Sequence, residues 1–104
     1  MKKIIAAVSI TPIGTGSTSL SEFVAKAIKV LEKYTDIEHT TDPMFTILYG
    51  DKHRVFEAII EMQEEMFKMG AKRVSTIIKI DERRDKEVKP TDKIESLKKH
   101  LKSL

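Results

Sequence analysis

The chain has no cysteine among its 104 residues. Disulfides, thiolate nucleophiles and zinc–thiolate sites are therefore excluded. Long apolar runs are missing too: nothing approaches the ~20 apolar residues that a membrane span needs. The start, Met1-Lys2-Lys3-Ile4, carries the charge of a secretion leader, but the apolar stretch behind it is short and enters a polar turn without a cleavage pattern. It is read as a strand, and the protein as cytoplasmic. Charge of one sign is also scarce. The net charge is only +3, and Lys and Arg mostly alternate with Glu and Asp. Aromatics make up 6% of the chain and do not interleave with a basic face, so neither nucleic acid nor a membrane is expected as a partner. There is no G-x-x-x-x-G-K-[ST] phosphate loop, no G-x-G-x-x-G, and no serine beside a recognisable base and orienting acid. Nothing in these residues demands catalysis.

What remains suits one compact domain over residues 1–104, with 40% hydrophobic and 34% charged residues. The most informative stretch is Thr11-Pro12-Ile13-Gly14-Thr15-Gly16-Ser17-Thr18-Ser19-Leu20-Ser21-Glu22. Two glycines and six hydroxyl residues join an apolar run to an amphipathic helix. Such a loop can set backbone N–H groups and hydroxyls beside a small polar ligand, at the positive end of a helix dipole. The same residues also make a plain strand-to-helix turn, and on residue types alone that is the simpler reading.

Alternation of side chains and helical spacing order the rest. Ile4, Ala6, Val8 and Ile10 oppose Ile5, Ala7, Ser9 and Thr11, and both sides start apolar, as in a central strand covered on both faces. Ser19 and Glu22 have capping-box spacing. Leu20, Val24, Ala27, Ile28 and Leu31 then predict a helix from about 20 to 34. Residues 36–41 form a short polar strand, Asp42-Pro43 a turn, and Met44 to Tyr49 a strand ended by Gly50. Asp51 can cap a second helix with the stripe Val55, Phe56, Ile59, Met62, Met66 and Phe67, closed by Gly70. Arg73 to Asp81 alternates again. A charged connector, Glu82 to Lys89, leads to a last helix capped by Thr91 or Asp92, with a narrow seam of Ile94, Leu97, Leu101 and Leu104. The fold class is α+β: a ferredoxin-like βαββαβ sandwich with an extra C-terminal helix. Its two helices cover one sheet face, and the other face shows isoleucines whichever way the first strand is turned. That predicts sheet-to-sheet self-association, with the terminal seam as a second contact on this domain or a neighbour.

The scattered His39, His53 and His100 suit solvent better than a metal. Glu57, Glu61, Glu64 and Glu65 read as a solvated helix face, and Met62, Met66 and Met69 as core filling. The cluster Asp81-Glu82-Arg83-Arg84-Asp85 can clamp an anion, tie subunits together or simply lie in water.

An ordered set of short pieces carries a family resemblance. It comprises Pro12-Ile13-Gly14 with Ser17-Thr18-Ser19-Leu20-Ser21, Met44 with Thr46, Gly70 with Arg73-Val74, Ile80 to Asp85, and Asp92-Lys93-Ile94-Glu95-Ser96. Through it the chain, from Val8 to about Leu97, resembles the thiamine-binding proteins, small ferredoxin-like proteins long described as a domain of unknown function. The resemblance implies oligomers, often tetramers of sheet-packed dimers, and a pocket near subunit contacts for thiamine or its hydroxymethylpyrimidine part. It implies no reaction. The family commonly has glutamate where this chain has Tyr49, and histidine where it has Gln63.

The expected function is non-catalytic binding of thiamine or hydroxymethylpyrimidine by a homodimer or homotetramer joined through the open sheet face, with no metal and no cofactor. From loop position, strand direction and family pattern, the hydroxyls of Ser9, Thr11, Thr18 and Thr46 are expected to bond the heterocycle. Tyr49 is expected to offer a flat surface, and Arg73 to answer a phosphate or hold the neighbouring subunit. The alternative is an assembly or regulatory module without a small ligand. An enzyme acting on thiamine-like substrates is the least supported reading.

Overall fold

The computed structural model describes residues 2–16 and 20–104. In chain order it has β1 (Lys3–Ile13), α1 (Ser21–Val30) continued by a 3-10 turn (Leu31–Lys33), β2 (Glu38–Thr41), β3 (Thr46–Asp51), α2 (Lys52–Lys68), β4 (Arg73–Asp81) and α3 (Pro90–Lys102). The expected βαββαβ order with an added helix is the fold found. The four strands form one antiparallel sheet in the order β2-β3-β1-β4.

Register assigns the faces, because directly opposed residues share one side of a sheet. Ile4 faces Gly50, Ala6 faces both Leu48 and Ile80, and Val8 faces Thr46 and Ile78. This side carries the helices. Ile4, Ala6, Val8 and Leu48 pack with Phe23, Ala27, Val30 and Leu31 of the first helical segment and Val55, Ala58, Ile59, Met62 and Met66 of α2. Burial of apolar side chains on this single seam drives the fold. The opposite, open face bears Lys3, Ile5, Ala7, Ser9 and Thr11 of β1, Ile47 and Tyr49 of β3, and Arg73, Ser75, Ile77, Lys79 and Asp81 of β4. β1 pairs with β3 only up to Val8, so one edge of β1 is unpaired at Pro12, where a missing N–H costs nothing.

Several local readings shift. The buried stripe of α1 is Phe23, Ala27 and Val30, while Leu20 and Val24 of the expected stripe stay exposed and its Ala27 and Leu31 are buried. Ser19, half of the expected capping box, lies outside the described residues, and Leu20 at the N-cap makes no side-chain cap bond. On α2 the buried set includes Ala58, whereas Phe56 and Phe67 are exposed on a face turned toward β4. Asp51 caps α2 as expected, accepting the Arg54 N–H at 3.2 Å, and Gly70 takes φ +103°, the left-handed turn for which glycine has no penalty. Gly50 does not end β3 but sits within it, buried. A Cβ there would meet the Asp36 carbonyl oxygen at 3.2 Å and Ile37 Cγ1 at 3.3 Å, so glycine permits a close approach of chain rather than a turn. The N-cap of α3 is Lys89, not Thr91 or Asp92. Pro90 occupies the first helical position, where it lacks only an orphan donor, and Asp92 instead accepts the Lys89 N–H at 2.9 Å. The α3 seam of Ile94, Leu97, Leu101 and Leu104 is exposed along its length, and no residue of α3 is buried.

Candidate functional site

The open face is not uniformly open. At one end the register sets Tyr49, Ile5 and Asp81 side by side across three strands. The connector 82–89 leaves β4 at that same end and folds back over Tyr49. A cleft of about 390 Å³ results, with Ile5, Tyr49 and Val88 as its apolar wall and Asp81 and Glu87 as its acids. Basic residues surround it: Lys2, Lys3, Arg83, Arg84, Lys86 and Lys93.

Tyr49 organises the cleft. It is 4% exposed although it lies on the face away from the helices. Its hydroxyl donates to Glu87 Oε1 at 2.8 Å. Lys3 Nζ lies 3.1 Å from the same oxygen and 5.5 Å from the centre of the tyrosine ring. A buried phenol with a charge-assisted acceptor is satisfied and therefore tolerable. Burial, and then the Glu87 carboxylate, push the Tyr49 pKa up to about 12. The Tyr49 hydroxyl and then Lys3 hold Glu87 below the usual carboxylate range. Lys93 bonds Asp81 and depresses it likewise.

Most of the surrounding positive charge is already answered. Arg83 grips Asp85 with two bonds of 2.8 and 2.5 Å. Arg84 and Lys52 both reach Glu82, at 2.9 and 3.0 Å. Among the described residues, Lys2 and Lys86 have no carboxylate partner. Tyr49 is covered rather than open as the flat surface expected from sequence, so the cleft offers an apolar wall over that ring, two ionised acceptors and two spare cations. Such a set can take a flat heterocycle with an amino group on the carboxylates and an anionic arm toward the lysines. No group of three or more His, Asp or Glu among the described residues is arranged to hold a metal, and no described helix is long and apolar enough to cross a membrane.

Of the five described residues among those singled out from sequence, the structure brings one into this cleft, Tyr49. Ser9 and Thr11 share the open face but lie farther along β1, about 13 and 20 Å from Ile5 at the rise of a strand. Arg73 is exposed at the far end of β4, ~26 Å from Asp81. Thr46 is buried on the helix-facing side. Thr18 lies outside the described residues. Gln63 donates to Thr76 Oγ1 at 2.8 Å on the helix-facing side and so joins α2 to β4. The residues missed from sequence are Ile5, Glu87 and Lys3. The charge cluster at 81–85 was a partial signal for this end of the sheet, but Glu87 becomes visible only once the connector is seen to reverse.

The family model of the thiamine-binding proteins matches residues 6–98. The chain is 43% identical over 100 residues to the UPF0045 protein YqgV of Bacillus subtilis, covering 93% of this chain and 96% of that one. It is 42% identical over 87 residues to a UPF0045 protein of Methanocaldococcus jannaschii, covering 84% of each. A crystal structure of that archaeal hypothetical protein superposes with a TM-score of 0.85 at 38% identity, over 93% of this chain and 97% of the other. A putative thiamine biosynthesis/salvage protein of Thermotoga maritima shares the fold, with a TM-score of 0.76 at 17% identity over 91% and 98% of the two chains.

Proposed function

The chain belongs to the thiamine-binding protein family, and we propose that it binds thiamine or a hydroxymethylpyrimidine relative without transforming it, in the cytoplasm and as a homo-oligomer. The observation that carries this reading is the Tyr49–Glu87 pair lining a cleft of about 390 Å³. That volume suits a ligand of one or two small rings. The pyrimidine lies against Ile5 and Tyr49, and its amino group donates to Glu87 or Asp81. Both carboxylates are held ionised by their neighbours, so they accept a hydrogen bond at neutral pH. Lys2 and Lys86 face a phosphate arm when one is present. Glu87 thereby supplies, from the connector, a carboxylate beside the position where the resemblance implies a strand glutamate and this chain has Tyr49. Ser9, Thr11 and Arg73 belong to the same open face and enter the site across a subunit seam.

Isothermal titration with thiamine, its phosphates and hydroxymethylpyrimidine tests the reading. Saturable heat with the native protein and its loss in Glu87→Ala support it. No heat and no thermal shift at millimolar ligand overturn it. A second reading, an assembly module without a small ligand, draws on the exposed seam of α3 and the exposed isoleucines of β4; oligomers that form normally while every titration stays flat would favour it.

A further inference from the structure

The charges around the cleft do not balance. The charged residues that line it, with the Lys52, Glu82 and Asp85 that complete their ion pairs, comprise seven cations and four carboxylates. The chain's whole net charge of +3 therefore sits at this end of the sheet, and the charges of the remaining residues cancel. The two carboxylates that line the cleft are already answered: Lys93 bonds Asp81, and Lys3 Nζ lies 3.1 Å from Glu87. They hold no charge in reserve for a cationic ligand. Lys2 and Lys86 are the reverse case, cations with no carboxylate partner among the described residues.

We propose that the cleft selects phosphate esters of its heterocycle over the unphosphorylated parents, and that Lys86 makes the selection. This rests on the reading of the cleft given above and narrows its ligand class. A free thiazolium brings a positive charge into a site that already has a surplus of them. A phosphate ester adds about two negative charges at neutral pH, which is the sign the cleft lacks. The ring keeps its place against the apolar wall and the two carboxylates, and the ester supplies the missing counter-charge. Charge and shape are thus read by different residues: Ile5, Val88 and the acceptors hold the ring, and the unpaired lysines hold the arm.

Room for the arm lies beside Lys86. A second cavity, of about 340 Å³, adjoins the cleft. The two share Arg83, Lys86 and Lys93, and the second adds Asp92 and Ser96 from α3. Asp92 is committed to the Lys89 N–H, at 2.9 Å, and Ser96 brings a hydroxyl. Lys86 lines both cavities and so meets a phosphate in either. Arg83 lines both as well. Its bonds to Asp85 join two exposed side chains two residues apart on the connector. An exposed pair of this kind contributes little, and a phosphate can take the place of the carboxylate at the same guanidinium fork.

Titration calorimetry on the full chain compares thiamine with thiamine monophosphate, and hydroxymethylpyrimidine with its phosphate. Each ester binds at least about tenfold tighter than its parent, and raising salt from about 0.05 to about 0.5 M removes most of that advantage. Lys86 is exposed, so its replacement leaves the fold in place. Lys86→Ala lowers the affinity of each ester at least about fivefold more than that of its parent, whereas Lys86→Arg keeps the preference. Esters and parents that bind alike overturn the selection and leave the thiamine reading standing. A preference that Lys86→Ala does not reduce overturns the assignment to Lys86. Inorganic phosphate or pyrophosphate binding as tightly as the esters also overturns the proposal, since the ring then adds nothing. No heat with any of these ligands removes the selection and the thiamine reading together.

Discussion

Tyr34 and Tyr49 are dressed alike and placed differently. They are 3% and 4% exposed. Tyr34 donates its hydroxyl to Glu61 at 2.5 Å, as Tyr49 does to Glu87 at 2.8 Å. Arg54 lies 4.5 Å from the Tyr34 ring, as Lys3 lies 5.5 Å from that of Tyr49. Both phenols are pushed up to about 12, first by burial and then by their glutamates. The difference lies in what holds the partners. Glu61 and Arg54 both stand on α2, and Arg54 also bonds Asp36 through two nitrogens, at 2.9 and 3.2 Å. Glu87 stands on a connector outside every helix and strand, beside a cleft. The same trio therefore serves as a clasp between helical elements in one place and as a site wall in the other. Composition does not assign the role; the element that carries the partner, and its surroundings, do.

That contrast can be broken at each tyrosine. The largest effect is expected from Tyr34→Ala, which empties a core position and lowers stability by about 3–5 kcal/mol in urea unfolding. Tyr49→Ala loses thiamine affinity by at least about tenfold by titration calorimetry while unfolding closer to the native midpoint. Equal loss of stability in both variants would erase the distinction.

Removing only the hydroxyls sharpens it. Tyr34→Phe costs about 1 kcal/mol, the net worth of one hydrogen bond, and leaves ligand binding unchanged. Tyr49→Phe leaves Glu87 held by Lys3 alone and shows first as faster amide exchange over residues 82–89. Glu87→Gln gives a similar local loosening and a several-fold weaker titration, with exchange around Tyr34 unaltered.

The smallest effects are those of pH. Glu61 and Glu87 are held below the usual carboxylate range, so each adds stability present above the ordinary carboxylate pKa and lost as pH falls through its lowered value. The two tyrosines, raised from 10 to about 12, add stability that is complete below pH 10 and lost as pH rises toward 12. These are the only tyrosines and there is no tryptophan, so phenolate absorbance reports both, and Tyr49→Phe leaves the Tyr34 titration alone. Ligand in the cleft should move the Tyr49 step and not the other.

Much of the frame was legible because it is written locally. The alternation from Arg73 to Asp81 matches β4 residue for residue, Asp51 caps α2, and Gly70 closes it in a left-handed turn. The misreadings sit where a neighbour overrides a local cue. Gly50 reads as a strand end, but its missing side chain makes room for Asp36 and Ile37. Phe56 and Phe67 read as core, yet they face the β4 side of α2. The described start of the hydroxyl-rich stretch, Thr11 to Ile13, lies at the opposite end of the sheet from the cleft.

Taken by itself, the sequence determined the element order and the family, since periods of two and 3.6 residues and short ordered motifs are properties of neighbours along the chain. Only the tertiary structure decided that Glu87 closes over Tyr49 across 38 residues, that Ser9 and Tyr49 stand far apart on one face, and that the flank of β4 is left bare. Those outcomes depend on where a connector turns and which edge of a sheet ends up last, and both are settled by packing of the whole chain.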